Sequence, residues 1–262
     1  MAPRELGRSG LRVTPIGFGA FKLGRNEGIK YSSGYALPDD ATAARILREM
    51  VDLGINYVDT APAYGISEQR VGAALGGRGD VVISTKVGET FAQGRSTYDF
   101  SEAAVRASVQ LSRQRLRRDV LDVVFVHAHA DDVAILRDTD VVGTLRSLRE
   151  AGVVRAVGFS GKTVQAAEMA LSWADALMVE YHLEDRSHEE VIAEAHRRGV
   201  GVVVKKGLAS GRLEPGDAVR FVLSHPGVTS LVIGGLSVEH MRENLRAARD
   251  ALAGGGDVAA VD

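Results

Sequence analysis

Eight short β-branched runs alternate with eight longer amphipathic segments along nearly the whole chain, which points to a parallel α/β fold. The pattern predicts strands near 15–19, 56–59, 81–86, 121–127, 153–159, 175–181, 200–205 and 229–233. It predicts helices near 40–53, 66–76, 101–117, 139–151, 163–172, 188–198, 216–224 and 237–252. Ser101 followed by Glu102 is a helix-start signal, and Gly54, Gly152 and Gly199 are stop signals. Eight such pairs in 262 residues suit a closed (β/α)8 TIM barrel, whose usual length is about 250 residues. An open doubly wound sheet would leave two edges and usually carries a glycine fingerprint after its first strand. Here Gly17 to Lys22 reads G-F-G-A-F-K and lacks the third glycine. Ahead of the barrel, R-E-L-G-R-S-G-L-R-V-T predicts a hairpin through Gly7 to Gly10, covering the amino-terminal mouth. No composition break marks a second domain, so one barrel domain over 1–262 is expected, with a glycine-rich flexible tail at about 253–262.

Composition narrows the function classes. A hydrophobic content of 45% supports a substantial core, which argues against disorder. The formal charge of −2, from 32 basic and 34 acidic residues, gives no electrostatic case for nucleic acid or an anionic membrane as partner. The densest basic cluster, Arg113 to Arg118, reads as the solvated end of a helix. With no cysteine there is no disulfide, thiolate metal site or cysteine nucleophile, and a reducing cytoplasm is compatible. No apolar run reaches signal-peptide or bilayer-spanning length, so a soluble, unprocessed, cytoplasmic protein is expected.

Parallel-barrel enzymes gather their chemistry at the carboxyl ends of the strands. Three successive predicted strands end on ionisable groups, at Asp59, Lys86 and His127, and Tyr64 follows Asp59 on the next loop. A tyrosine beside an ammonium becomes a better proton donor, because the cation stabilises its phenolate. Lys86 supplies that charge in this reading, Asp59 holds Lys86, and His127 donates to a carbonyl oxygen as negative charge develops on it. Singly, each residue has a bland reading: a loop cap, a packing aromatic, a surface charge, a satisfied histidine. Jointly they suit carbonyl reduction, and since none can supply a hydride, a cofactor is required. His127 and His129 have the spacing of a metal pair, but nothing nearby supplies further ligands, so no metal is expected. Glu184, Asp185, His188 and Glu189 are expected to open the sixth helix. Tyr31–Tyr35 and Gly88–Tyr98 are expected as mobile loops over the mouth, their aromatics and Arg95 shaping substrate choice.

The chain resembles the aldo-keto reductases from about Glu5 to Asn244. The resemblance is carried by G-I-N-Y-V-D-T-A-P-A-Y-G, by S-T-K ending at Lys86, by V-F-V-H ending at His127, by A-V-G-F-S ending at Ser160 and by I-G-G-L-S-V-E-H-M-R-E-N-L from Ile233. It implies a catalytic tetrad of Asp59, Tyr64, Lys86 and His127, with Tyr64 as proton donor, and NADPH as cofactor with NADH as the alternative. It also implies cofactor contacts at Gly19, Ala20, Phe21 and Ser160. Three customary nicotinamide contacts are altered: Gly161 stands for an asparagine, Met178 for a glutamine and Lys205 for the stacking aromatic. Lys206 sits beside Lys205, and the following G-L-A-S-G, with Leu208, Ser210 and Gly211, offers backbone amides to a pyrophosphate. Gly234, Gly235 and His240 align where the family reads the 2′-phosphate, while Glu243 and Asn244 match the pair near adenine. Arg242 is offset, so amides at the helix start beyond Leu236, from Ser237 to Glu239, are expected to bind phosphate.

The leading expectation is an NADPH-dependent reductase acting on a small-molecule aldehyde or ketone, in either direction. A cofactor-binding sensor or auxiliary subunit with little turnover is the second reading, and a metal-dependent hydrolase the third. The chain stops about 18 residues after Asn244, which suggests a more open substrate site. Substrate identity and oligomeric state are not readable from the sequence.

Overall fold

Parallel neighbours in a sheet need a crossover between them, and this chain supplies a helix after each barrel strand. The computed structural model describes residues 1–29 and 34–254. It opens with two short antiparallel strands, β1 (Arg4–Glu5) and β2 (Arg12–Val13), paired Arg4 to Val13 and Glu5 to Arg12. The barrel begins with β3 (Ile16–Gly19), α1 (Asp40–Asp52), β4 (Tyr57–Asp59), α2 (Ser67–Leu75) and β5 (Val82–Val87). An antiparallel hairpin of β6 (Glu89–Ala92) and β7 (Arg95–Tyr98) then precedes α3 (Glu102–Leu116) and β8 (Leu121–His127). The rest is α4 (Asp132–Asp138), α5 (Val141–Glu150), β9 (Val154–Ser160), α6 (Val164–Ala170), β10 (Ala176–Glu180), α7 (Glu189–Arg197), β11 (Gly201–Lys205), α8 (Pro215–Ser224), β12 (Ser230–Gly234) and α9 (Val238–Gly254). Eight strands pair in parallel in chain order, and β12 closes on β3, so the expected barrel is present.

The barrel strands fall within about two residues of their predicted bounds. Two segments differ from expectation. The helix predicted over 139–151 is preceded by a separate helix, α4, and Thr139 divides them in an extended conformation. Its hydroxyl donates to the Ile135 carbonyl at 2.7 Å and accepts from the Val141 amide at 3.4 Å, ending one helix and starting the next. The segment Gly88–Tyr98, expected as a mobile loop, is the β6–β7 hairpin. Gln93 and Gly94, with φ of 51° and 75°, form its left-handed turn. Of the Tyr31–Tyr35 loop, Tyr31 to Ser33 lie outside the described residues, as does the tail from 255 onward.

Two apolar layers hold the fold. The larger lies between strands and helices. The smaller fills the barrel, where Leu6, Leu11 and Val13 of the β1–β2 segment meet Tyr57, Val123, Phe125 and Val203. That hairpin covers the amino-terminal mouth as expected, and burying each such aliphatic side chain is worth about 1.5–3 kcal/mol. Side chains alternate along a strand, so residues an even number of positions beyond an interior residue also point inward. Tyr57, Val82, Phe125, Ala156 and Val203 are interior. Asp59, Lys86, His127, Ser160 and Lys205 are therefore the last inward residues of five strands, all at the carboxyl-terminal mouth.

Candidate active site

Asp59 and Lys86 form a buried ion pair at the mouth. Lys86 Nζ donates to both Asp59 oxygens at 2.7 Å and to the Thr60 carbonyl at 2.9 Å. Asp59 is held from a second side by the Ser84 hydroxyl at 2.7 Å, which in turn accepts from the Tyr57 hydroxyl at 2.9 Å. Burial works against the Lys86 ammonium, but Asp59 and Tyr64 outweigh it and raise its pKa. Tyr64 ends a single 3-10 turn, Pro62–Tyr64, with proline at its first position where no backbone donor is needed. Lys86 Nζ lies 4.7 Å from the Tyr64 ring centroid, and the His127 ring lies 6.0 Å from it, edge to face.

The expected net acidification of Tyr64 does not occur. Burial pushes its pKa up to about 12, Lys86 offsets only part of that, and Asp59 adds to the rise. The spacing was right to place a cation beside the phenol. It could not weigh that cation against burial and against the carboxylate that neutralises it.

His127 has a partner that sequence reasoning missed. A Glu89 oxygen sits 2.9 Å from His127 Nδ1, although out of line for a straight hydrogen bond. Glu89 also accepts from the Ser96 hydroxyl across the hairpin at 2.6 Å. Burial opposes the Glu89 charge, but His127, Ser96 and Arg25 hold its pKa down at about 2. For His127 burial is the larger influence and lowers its pKa, with Glu89 pulling the other way. Arg25 stacks on Phe91 of the same hairpin at 3.3 Å and donates to the Ala63 carbonyl at 3.0 Å. The polar, alternating segment after Lys86 looked like a loop, but its Gln-Gly turn was the available signal for a hairpin.

Lys205 lies half-buried opposite, its Nζ donating to the Ser160 hydroxyl at 3.0 Å and the Gly161 carbonyl at 2.8 Å. Burial and the neighbouring Lys162, Lys206 and Lys86 pull its pKa down to about 7. A side chain at Gly161 would place Cβ 2.2 Å from the Phe159 ring and 2.8 Å from an Asp132 carboxylate oxygen, so this backbone accepts no asparagine without movement. Met178 belongs to the barrel interior and floors the same cavity.

The cavity, about 320 Å³, brings together Asp59, Tyr64, Lys86, His127, Gly19, Phe21, Ser160, Met178, Lys205, Lys206, Ser210 and Gly234. Ala20, Leu208 and Leu236 instead pack their side chains against the outer core. Gly235, Ser237, His240, Glu243 and Asn244 follow β12 outside the cavity. One expectation about amides needs correction. The amides of Ala209 and Gly211 are taken by the Lys206 and Leu208 carbonyls, because Ala209, Ser210 and Gly211 form a tight left-handed turn. Ser237 spends its side chain as the cap of α9, accepting from the His240 amide at 3.2 Å. Arg242 lies 3.8 Å from Glu239 on its own helix, in keeping with its offset.

The site chemistry suits an anionic nucleotide cofactor. Among the described residues, Lys22, Arg25, Lys86, Lys162, Lys205 and Lys206 line the cavity against Asp59 and Glu89. Asn244 keeps a buried side-chain carbonyl without a hydrogen-bond donor. At Gly235 an added Cβ would meet nothing within 4 Å, leaving the chain open to a ligand there. Metal ligation has weaker support. His129 accepts from the Asp131 amide at 3.1 Å and packs on Tyr98, in the loop. The triad Glu180, His182 and Asp185 has its atoms engaged: Glu180 with Lys206 and His182, and His182 Nδ1 with the Glu184 amide. Of the cluster expected to open the sixth helix, His188 and Glu189 stand at the start of α7, whereas Glu184 and Asp185 belong to the preceding turn closed by the His182–Asp185 bridge. No described helix is long and apolar enough to cross a membrane.

Residues 15–218 match the model of the aldo/keto reductase family. An L-galactose dehydrogenase of Arabidopsis thaliana is 28% identical over 93% of this chain and 87% of its own length. A D-threo-aldose 1-dehydrogenase of a Pseudomonas species is 30% identical over 81% of this chain and 71% of its own. Among solved structures, one from Pseudomonas aeruginosa described as an aldo-keto reductase superposes with a TM-score of 0.88, at 41% identity and 95% coverage of both chains.

Proposed function

As a member of the aldo/keto reductase family, and so an oxidoreductase, this chain, we propose, reduces an aldehyde or ketone to an alcohol with NADPH as hydride source and Tyr64 as proton donor. The observation that carries this reading is the convergence of Tyr64, the Lys86–Asp59 pair and His127 on one cavity. The family generally uses nicotinamide cofactors, and the bound cofactor supplies a hydride to the carbonyl carbon. Ser160 and Lys205 are the groups within the cavity suited to hold the carboxamide, and the cationic rim with the start of α9 suits the phosphates.

The chain's own residues then have distinct tasks. His127 lines the cavity with Nδ1 against Glu89, leaving its other ring nitrogen to face a carbonyl oxygen. Tyr64 delivers a proton to that oxygen as it gains charge, and a phenol with a pKa of about 12 is fully protonated at neutral pH. Lys86 stabilises the phenolate left behind, and Asp59, Ser84 and Tyr57 fix Lys86 in place. The proton-delivering groups are thus held before substrate arrives, with little reorganisation needed during the reaction.

Tyr64→Phe tests the assignment. It removes one hydroxyl, and turnover with a panel of aldehydes should fall by at least about 100-fold while NADPH affinity, followed by fluorescence titration, stays within about threefold. Full activity in the variant would overturn the role of Tyr64. Tight NADPH binding by the wild type with no turnover on any carbonyl would favour the sensor or auxiliary-subunit reading instead.

A further inference from the structure

The proton chemistry above makes no use of Lys205, although its ammonium shares one cavity with Tyr64, Lys86 and His127. Among the described residues its hydrogen bonds run to neutral acceptors, the Ser160 hydroxyl and the Gly161 carbonyl. The carboxylates nearby are committed elsewhere, Asp59 to Lys86 and Glu180 to Lys206. Ionisable groups face it from every side: Lys86 on β5, His127 on β8, Lys162 after β9, Glu180 on β10, His188 before α7, and Lys206 next in sequence. With Lys86 and Lys206 each neutralised by a carboxylate, Lys205 brings an uncompensated positive charge into a confined space.

We propose that Lys205 discriminates between the oxidation states of the bound nicotinamide, disfavouring the oxidised ring while it carries its proton. The inference rests on the nicotinamide-dependent reaction proposed above. The oxidised ring is a cation and the reduced ring is neutral. A ring that gives hydride to a carbon whose oxygen meets Tyr64 must share the cavity of about 320 Å³ with Lys205. Like charges confined together away from bulk water repel strongly, whereas a neutral ring carrying a carboxamide oxygen can accept a hydrogen bond from Nζ.

The pH dependence follows by linkage. Free Lys205 titrates at about 7, pulled down by burial and by the surrounding lysines. A cationic ring lowers it further, so binding of the oxidised form releases a proton and tightens as pH rises. The reduced form does not impose this release. Below neutrality the mouth therefore favours entry of the reduced cofactor and departure of the oxidised one, which suits the reductive direction.

The test is equilibrium binding without substrate. NADP+ and NADPH are titrated separately into the full-length protein by calorimetry, and the ratio of their Kd values is followed with pH. Ionisation of the shared phosphates affects both forms alike and cancels in the ratio. In the wild type, Kd(NADP+)/Kd(NADPH) should fall by roughly tenfold between about pH 6 and about pH 8. Lys205→Met should bring the ratio to a low value that no longer changes with pH. Lys205→Arg, which keeps a permanent charge, should fix it high. A level wild-type ratio, or a Lys205→Met slope equal to the wild type, overturns the inference; if the Met variant fails to fold, a falling ratio in Lys205→Arg overturns it equally. If neither form of the cofactor binds, the parent reading falls. If both bind and the ratio is level, only the role of Lys205 falls.

Discussion

Replacing Lys86 with methionine separates the structural role of the mouth ion pair from its chemical one. The substitution keeps most of the side-chain volume but strands Asp59, which is buried and retains only the Ser84 hydroxyl as a close side-chain partner. The Thr60 carbonyl loses its donor as well. Removing one member of a buried pair costs about 3–5 kcal/mol, mostly the desolvation of the charge left behind. A domain of this size loses about 2–4 °C of melting temperature per kcal/mol, so Lys86→Met should melt roughly 6–20 °C below the wild type. Adding Asp59→Asn removes the stranded charge, and the double variant should recover about 1–3 kcal/mol relative to the single. Both variants should be catalytically dead, because neither supports the phenolate of Tyr64. Thermal and urea unfolding followed by circular dichroism measure the stabilities. A single variant less than about 1 kcal/mol below the wild type, or a double variant no more stable than the single, would refute the view that Lys86 and Asp59 compensate each other as a buried pair.

Three further outcomes are expected. Gly161→Asn, which restores the family's residue, should cost about 1–3 kcal/mol because its Cβ would lie 2.2 Å from Phe159, and Phe159→Leu in the same chain should return part of that stability in a thermal melt. Glu89→Gln removes the charge that raises the His127 pKa, so the histidine limb of the kcat/KM profile for reduction should move to lower pH, with activity at neutral pH reduced several-fold. Alcohol oxidation needs Tyr64 as phenolate, and with the free protein's Tyr64 pKa at about 12 the oxidative kcat/KM should climb with pH through the alkaline range, while no such climb appears in reduction.

The barrel was legible because its signals are local and repeated. Strand ends were read within about two residues, and their carboxyl-terminal positions were enough to bring Asp59, Lys86 and His127 to one mouth, while Ser160 and Lys205 came in through the family resemblance. What strand position cannot provide is the path of a long side chain once it is inside. Nothing in V-V-V-K-K says that Lys205 reaches across to Ser160 and Gly161, two strands away around the barrel. The pKa of Tyr64 was missed for a related reason, since proximity of Lys86 is visible in the motif but burial is not. The Glu89 hairpin escaped because its sequence is polar, and pairing such as Thr90 with Thr97 adds little hydrophobic pattern. The short helix α4 covers barely two turns, too few for a period to stand out.

The junction at Gly88 has a consequence for how this site can diversify. One residue separates the strand that carries Lys86 from the hairpin that carries Glu89 and Phe91, and at φ of 101° its Cβ would lie 2.0 Å from the Phe100 ring. A glycine there makes the hairpin an exchangeable part with a defined seam. New sequences can be grafted between Gly88 and Phe100 to remake the wall facing the substrate, while the ion pair below keeps its position. The seam itself tolerates no such freedom, so libraries that vary residues 89–98 should yield folded proteins far more often than those that also vary Gly88.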